Sequence, residues 1–332
     1  MNKFTNTIGI DVSKGTLDAH DHVHGHLVQV GNNAAGFKEL LQWAKKNNAD
    51  LHSVLFCFEH TGMYSLPLAL CLTEQKQSYA MVPGLEIKRS LGISRGKNDR
   101  ADALAIARYA YLRREGITIY QLPSPQLLEL KSLLSLREKM VGQRAGYQAS
   151  KKEMKSFLKI VKDSSVIFEA QEQMIKELNK QILRVEKQMM EIISQDEHLK
   201  KTFDLVTSVK GVGPVVGTTM MVYTNCFTAF DDWRKFACYC GIVPFEYQSG
   251  TSIKGKKKVN HLANKKLKTL LSNAACSSIQ HNPEMKLYYE RRIKEGKNKM
   301  STQNIIRNKI VARVFSVVKR GTPYVETFKY AA

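Results

Sequence analysis

A chain of 332 residues of which 43% are hydrophobic can bury a sizeable core and has room for two or three domains. No stretch of about 18 uninterrupted apolar residues occurs, and the first residues lack an apolar run behind a basic start, so membrane spanning and secretion are not expected. Six cysteines with no Cys-x-x-Cys pair argue against a disulfide framework or a zinc ribbon, and a net charge of +21 points toward polyanionic partners in a reducing, cytoplasmic compartment.

The run Thr7 to Val12 is β-rich and carries an acid at its end; Gly15 then breaks it from a second extended stretch, Thr16 to Val30, so a strand and a hairpin are expected. Ala35 to Lys46 has helical periodicity, Ser53 to Phe58 is an apolar strand ending at Glu59, and Ser65 to Leu72 reads as a helix. A strand from Ser78 to Val82 stops at Pro83. From Asn98 to Arg113 the chain is alanine-rich with acids in its first turn, as suits a helix N-terminus. Residues 1–120 are therefore expected to form an α/β domain. After the Pro123 to Pro125 break, two long helical patterns run from about Gln126 to Val161 and from about Val166 to Ser194, hinged near Asp163, Ser164 and Ser165. In the second, apolar residues from Ile167 through Met174, Ile182 and Met189 to Ile192 recur every three or four positions. An antiparallel helical arm over residues 121–200 follows, its stripe packing within the hairpin or against another subunit. Residues 201–332 return to glycine-punctuated, mainly helical sequence.

Four acids stand out. Asp11 and Glu59 each close a β-run, and Asp99 and Asp102, three residues apart, share one face of a helix that could approach both strand ends. Such an all-oxygen set suits Mg²⁺ that keeps several waters and binds phosphate. Two such ions could activate a nucleophile and stabilise the leaving oxygen of a phosphodiester. The plainer reading makes Asp99 and Asp102 ordinary helix-start acids and Asp11 the end of a turn.

The positive charge is concentrated late in the chain. Residues 206–332 carry 22 Lys and Arg against 7 Asp and Glu, whereas residues 1–119 carry 14 against 11. Within this third, Lys210, Gly211 and Gly213 belong to a Gly-x-Gly turn of helix-hairpin-helix type, whose backbone N–H groups could meet a nucleic-acid phosphate or simply turn the chain between packed helices. Ser249, in a Gln-Ser-Gly turn, precedes Lys254, Lys256, Lys257 and Lys258. A serine there could act as a nucleophile in a phosphate-attracting setting, and a surface turn beside a solvated lysine run is the alternative.

Five motifs in this order, IGIDVSKG, FEHTG, KNDRADALAIA, GVGPVVG and GIVPFEYQSGTSIKGKK, resemble the DEDD transposases of insertion sequences, a group that includes the Piv-type DNA invertases. The resemblance covers nearly the whole chain. It implies a ribonuclease-H-like (RuvC-like) N-terminal domain, a long antiparallel coiled-coil arm and a mainly helical C-terminal transposase domain with a helix-hairpin-helix. By motif position it makes Asp11, Glu59, Asp99 and Asp102 the metal-binding quartet, with Mg²⁺ or Mn²⁺ as cofactor, and Ser249 rather than the nearby Ser252 the nucleophile that links covalently to DNA. It further implies donor and target DNA as substrates, a structured noncoding guide RNA, assembly as a homodimer or homotetramer, and a nucleoid-associated place in a bacterial or archaeal cytoplasm. In that setting the basic third serves nucleic-acid backbones and base pairing supplies sequence choice. Two rivals stay open: a metal-dependent nuclease or junction resolvase using water, and a catalytically silent nucleic-acid scaffold.

Other signals carry less. His20, His22, His24 and His26 alternate and would share one face of a strand as a metal patch, but a hairpin centred near Gly25 breaks that face. Gly250 to Lys256 nearly spells a P-loop, with Lys257 where Ser or Thr is required. Trp43, Trp233, Tyr288 and Tyr289 could stack on bases, although aromatic residues in helical patterns usually belong to the core.

Overall fold

The computed structural model describes residues 4–90, 99–157, 165–249, 253–259 and 262–326. The chain divides into two compact units, Met1–Leu122 and Pro123–Ala332. In the first, β1 (Asn6–Val12), β2 (Thr16–Asp21) and β3 (Leu27–Gly31) form an antiparallel meander. The extended stretch expected from Thr16 to Val30 is interrupted because Asp21, buried, accepts hydrogen bonds from Asn6 and Asn48 side chains and from the His24 amide, which pins a turn before Gly25. Only His20 of the four alternating histidines lies on a strand, so they share no strand face.

The meander leads into α1 (Ala34–Asn47), whose start is capped by the Asn33 side chain accepting from the Gly36 amide. Strands β4 (Val54–Glu59) and β5 (Tyr79–Val82) then add in parallel beyond β1, giving the order β3-β2-β1-β4-β5. Helix α2 (Leu66–Glu74) connects them, and α3 (Gly84–Ser90) and α4 (Asp99–Arg113) follow. Parallel strands require such crossovers, and each must bury an apolar face on the sheet. Ile8, Ile10, Phe56 and Phe58 pack with Phe37, Leu40, Leu68 and Leu72 of α1 and α2. Leu55, Cys57, Ala80 and Val82 pack with Ile87 of α3 and Ile106 and Tyr109 of α4. The unit is thus a mixed sheet between two helical layers, consistent with a ribonuclease-H-like domain.

In the second unit, α5 (Pro125–Phe157) and α6 (Ser165–Gln195) run antiparallel. Their cross-links retreat along one helix as they advance along the other: Arg137 with Glu186 at 2.6 Å, Arg144 with Asn179 at 2.8 Å, and Lys151 with Glu172. The expected hinge at Asp163 and Ser164 lies outside the described residues. Ile182, Val185, Met189 and Ile192 of α6 pack with Leu127, Leu130 and Met140 of α5. The same cluster takes in Leu199 and Phe203 of α7 (Glu197–Thr207) and Met221 and Val222 of α8 (Pro214–Tyr223), so the arm and the C-terminal third share one core. Farther along the arm the stripe stays open, with Ile167 and Met174 at 40% and 46% exposure.

The remainder is α9 (Trp233–Tyr239), a hairpin of β6 (Pro244–Ser249) and β7 (Ile253–Val259), then α10 (Lys265–His281), α11 (Pro283–Lys294) and α12 (Lys299–Arg320). Phe236, Leu271, Ala275, Ile306, Ile310 and Val314 form its core. Asn304 and Asn308 of α12 both donate side-chain N–H to the Ile242 carbonyl, at 2.7 and 3.0 Å, directly before the hairpin begins.

Candidate active site

Side chains alternate along a strand, so Thr7, Gly9 and Asp11 of β1 share one face. That face lies under α4. The Thr7 hydroxyl donates to the Ala107 carbonyl at 2.9 Å, and a Cβ on Gly9 would come within 2.1 Å of the Ala107 nitrogen and 2.4 Å of the Ala103 oxygen. Only glycine permits so close an approach of helix backbone to strand. Because β1 advances as α4 is read backward, Asp11 comes next to the first turn of α4, where Asp99 and Asp102 stand.

Register supplies the other acids. Gly9 pairs with Cys57 on parallel β4, so Glu59, two residues on, is level with Asp11 and on the same face. Asp11 pairs directly with Asp18 on antiparallel β2, which places a fifth acid beside it. Asp18 is 3% exposed and accepts two hydrogen bonds from Gln29 Nε2, at 3.0 and 3.1 Å. Glu59 is accommodated by Gly84 at the start of α3, where a Cβ would fall 1.9 Å from its Oε1.

Asp11 responds to its surroundings. Burial, followed by the charges of Asp102, Asp99, Asp18 and Glu59, pushes the Asp11 carboxyl up from 3.8 to about 6. Among the described residues no group of three His, Cys, Asp or Glu is gathered tightly enough to hold a metal ion. The donor chemistry nonetheless fits a hard divalent cation: every group is a carboxylate, and their mutual repulsion is what bound positive charge would relieve. The sequence-level quartet is therefore brought to one end of the sheet. Asp18, Gly9 and Gly84 were not anticipated. Asp18 had a signal, since counting back across a tight turn at Gly15 pairs it with Asp11.

In the second unit, the expected Gly-x-Gly turn joins α7 to α8. Gly211, at φ +95°, is a packing glycine, for a Cβ there would lie 2.7 Å from the Ala274 oxygen on α10. Gly213 faces open space at the N-terminus of α8, and the exposed Lys210 pairs with Glu326 at 3.5 Å. Ser249 is the last residue of β6, paired with Ile253, rather than part of an irregular turn. Lys254, Lys256, Lys257 and Lys258 all lie on β7, so the described part of the near-P-loop is a strand and not the start of a helix. Gly250 and Ser252 lie outside the described residues.

Comparison with known proteins gives these residues a family. A DEDD-type model described as transposase matches residues 8–162, and a model described as transposase of the IS116/IS110/IS902 family matches residues 203–290. The chain is similar to the pilin gene-inverting protein of Moraxella bovis, 25% identical over 323 residues that cover 96% of this chain and 97% of that one. The protein of the same name from Moraxella lacunata matches equally. An uncharacterised protein of insertion element IS110 from Streptomyces coelicolor is 29% identical over 122 residues, 36% of this chain and 29% of its own. With both models matching in chain order over more than two thirds of the sequence, the chain belongs to the IS116/IS110/IS902 family of DNA transposases.

Proposed function

We propose that this transposase cuts and rejoins DNA through a serine nucleophile, Ser249, assisted by Mg²⁺ or Mn²⁺ at Asp11, Glu59, Asp99 and Asp102. The observation that carries the metal half is the convergence of these acids on one sheet end, where burial and then the neighbouring charges raise Asp11 to about 6. Bound there, the cation would supply Lewis-acid stabilisation of charge on a phosphoryl group. The chain's own residues then have separate tasks. The Ser249 Oγ forms a bond to phosphorus, the bond from phosphorus to a deoxyribose oxygen breaks, and the hydroxyl proton passes to a base. A phosphoserine link keeps the energy of the broken phosphodiester for the rejoining step. Gly213 and the lysines of β7 contact nucleic-acid backbone, with the α7–α8 turn acting as a helix-hairpin-helix. Guidance by a structured noncoding RNA, the coiled-coil character of the arm, homo-oligomeric assembly and nucleoid association belong to the same reading. The excess of cations after residue 206 supports the nucleic-acid part of it.

The test is strand exchange with Asp11→Ala and Ser249→Ala. Both variants are expected to lose it, and an adduct between protein and DNA should vanish with Ser249→Ala. Full exchange by either variant overturns the mechanism, and cleavage that survives Ser249→Ala moves the reading to a resolvase-like nuclease using water.

A second reading has its own support. The match to the pilin gene-inverting protein runs along nearly the whole of both chains, which favours inversion of a DNA segment over movement of an element. Flanking DNA separates them: an element with termini on both sides of the reading frame argues transposition, and a single invertible segment argues inversion.

A further inference from the structure

Directly after Glu59 the chain forms a short, heavily tethered loop, residues 60–65. The His60 amide donates to the Val82 carbonyl at 3.2 Å, the Thr61 amide to the Glu59 carbonyl at 2.9 Å, and the Ser65 hydroxyl to the Gly62 carbonyl at 3.2 Å. Asn32 Nδ2 bridges the loop to the other acid-bearing strand, donating to the Tyr64 carbonyl at 3.1 Å and to the Ser13 carbonyl at 2.8 Å, two residues past Asp11. Gly62, at φ +70°, turns the chain where a side chain would be strained. This backbone is fixed, yet its two large apolar side chains face water: Met63 is 82% exposed and Tyr64 is 47% exposed.

Single exposed apolar residues are ordinary, but an adjacent pair held rigidly between the ends of two acid-bearing strands is not explained by packing. The occupant has to be compatible with the surrounding carboxylates. A polyanionic backbone brought near Asp11, Asp18 and Glu59 meets repulsion wherever no cation intervenes, so at this end of the sheet a handle on DNA that does not depend on charge complements the lysines of the other unit. Stacking a base on an aromatic ring is such a handle, tolerant of sequence and independent of phosphate.

We propose that Met63 and Tyr64 form a stacking platform for a nucleobase of the DNA strand whose phosphodiester is handled at the acids. This rests on the reading of the acids as the site of DNA chemistry and adds to it the contact that aligns the strand. Tyr64 supplies the ring face, and Met63 supplies a polarisable flank that excludes water from the stack.

The experiment uses the full chain and single-stranded oligodeoxynucleotides with 2-aminopurine scanned through the sequence, read by fluorescence quenching and by affinity at several salt concentrations. The wild-type chain is expected to quench at one position. Tyr64→Ala loses that quench and binds about fivefold or more weakly, while the slope of log affinity against log salt is unchanged because no phosphate contact is removed. Tyr64→Phe retains both quench and affinity. Quenching and affinity unchanged in the Met63→Ala, Tyr64→Ala double variant overturn the platform. So does a double variant whose only change is in sedimentation, which would assign the pair to a second copy of the chain. Asp11→Asn separates this from the underlying reading: with quench kept and strand exchange lost, both stand; if exchange is kept, the acid reading fails whatever the platform does.

Discussion

Gly84 serves a carboxylate by having no side chain. Its missing Cβ leaves the space in which the Glu59 carboxylate rests, and alanine would put a methyl 1.9 Å from Oε1. The carboxylate is the movable end of its side chain, and alanine suits the start of a helix, so Gly84→Ala should fold with an unchanged melting temperature. Its strand-exchange rate is expected to fall by roughly tenfold to a hundredfold, the order that misplacing a reacting group by about an ångström costs. Circular dichroism beside an exchange assay checks both parts. Asp11 gives a second expectation at this scale. Its folded value, about 6, lies above the ordinary 3.8, so the folded, metal-free chain holds the proton more tightly than the unfolded chain. Stability from this group is fully present below about pH 4 and is lost as pH rises toward 6. Thermal melts in EDTA should show a wild-type minus Asp11→Asn difference that declines over that window and levels off above it; a difference that grows with pH contradicts the sign. At this scale the sequence made four of the five acids legible, because each sits at a boundary that patterning reveals: a strand end or a helix start. Asp18 was less visible, since its meaning comes from a partner across a hairpin and not from its own neighbours.

Among elements, the arm shows how far a periodic pattern can be read. Its helices are evident from spacing, but spacing does not say what a stripe touches. The C-terminal half of the α6 stripe is core, with Ile182 at 4% and Met189 at 2% exposure, whereas Met174 is at 46%. Ile182→Ala should therefore cost about 2–5 kcal/mol, as large-to-small core changes do, and Met174→Ala less than about 0.5 kcal/mol. Urea unfolding monitored by circular dichroism measures both, and equal losses would mean that the stripe is covered along its whole length. The β6–β7 hairpin was the element hidden from sequence. β7 reads IKGKKKV, whose lysines erase the alternation of apolar and polar residues by which strands are recognised, and a bulge between Phe245 and Tyr247 disturbs the register further. Ser249 stands out beside the lysine run and family resemblance favours it over Ser252, but its place at a strand end is not legible in the sequence.

For the molecule as a whole, composition indicated the partner class and order of motifs indicated the family, while the grouping of segments into cores depended on contacts between distant residues. Met221 and Val222 are far along the chain from Leu130, yet they share its cluster, which is why helices that look like an independent arm belong to the same compact unit as the C-terminal third. A similar long-range debt governs the hairpin. The Ile242 carbonyl at its root is gripped from α12 by Asn304 and Asn308, so the serine owes its location to residues translated well after it. A nascent chain that has emerged through β7 would carry Ser249 without this anchorage. Completion of α12 then becomes the moment at which both side-chain grips on that carbonyl are in place, and a transposase truncated ahead of Asn304 would hold Ser249 on a hairpin that lacks them.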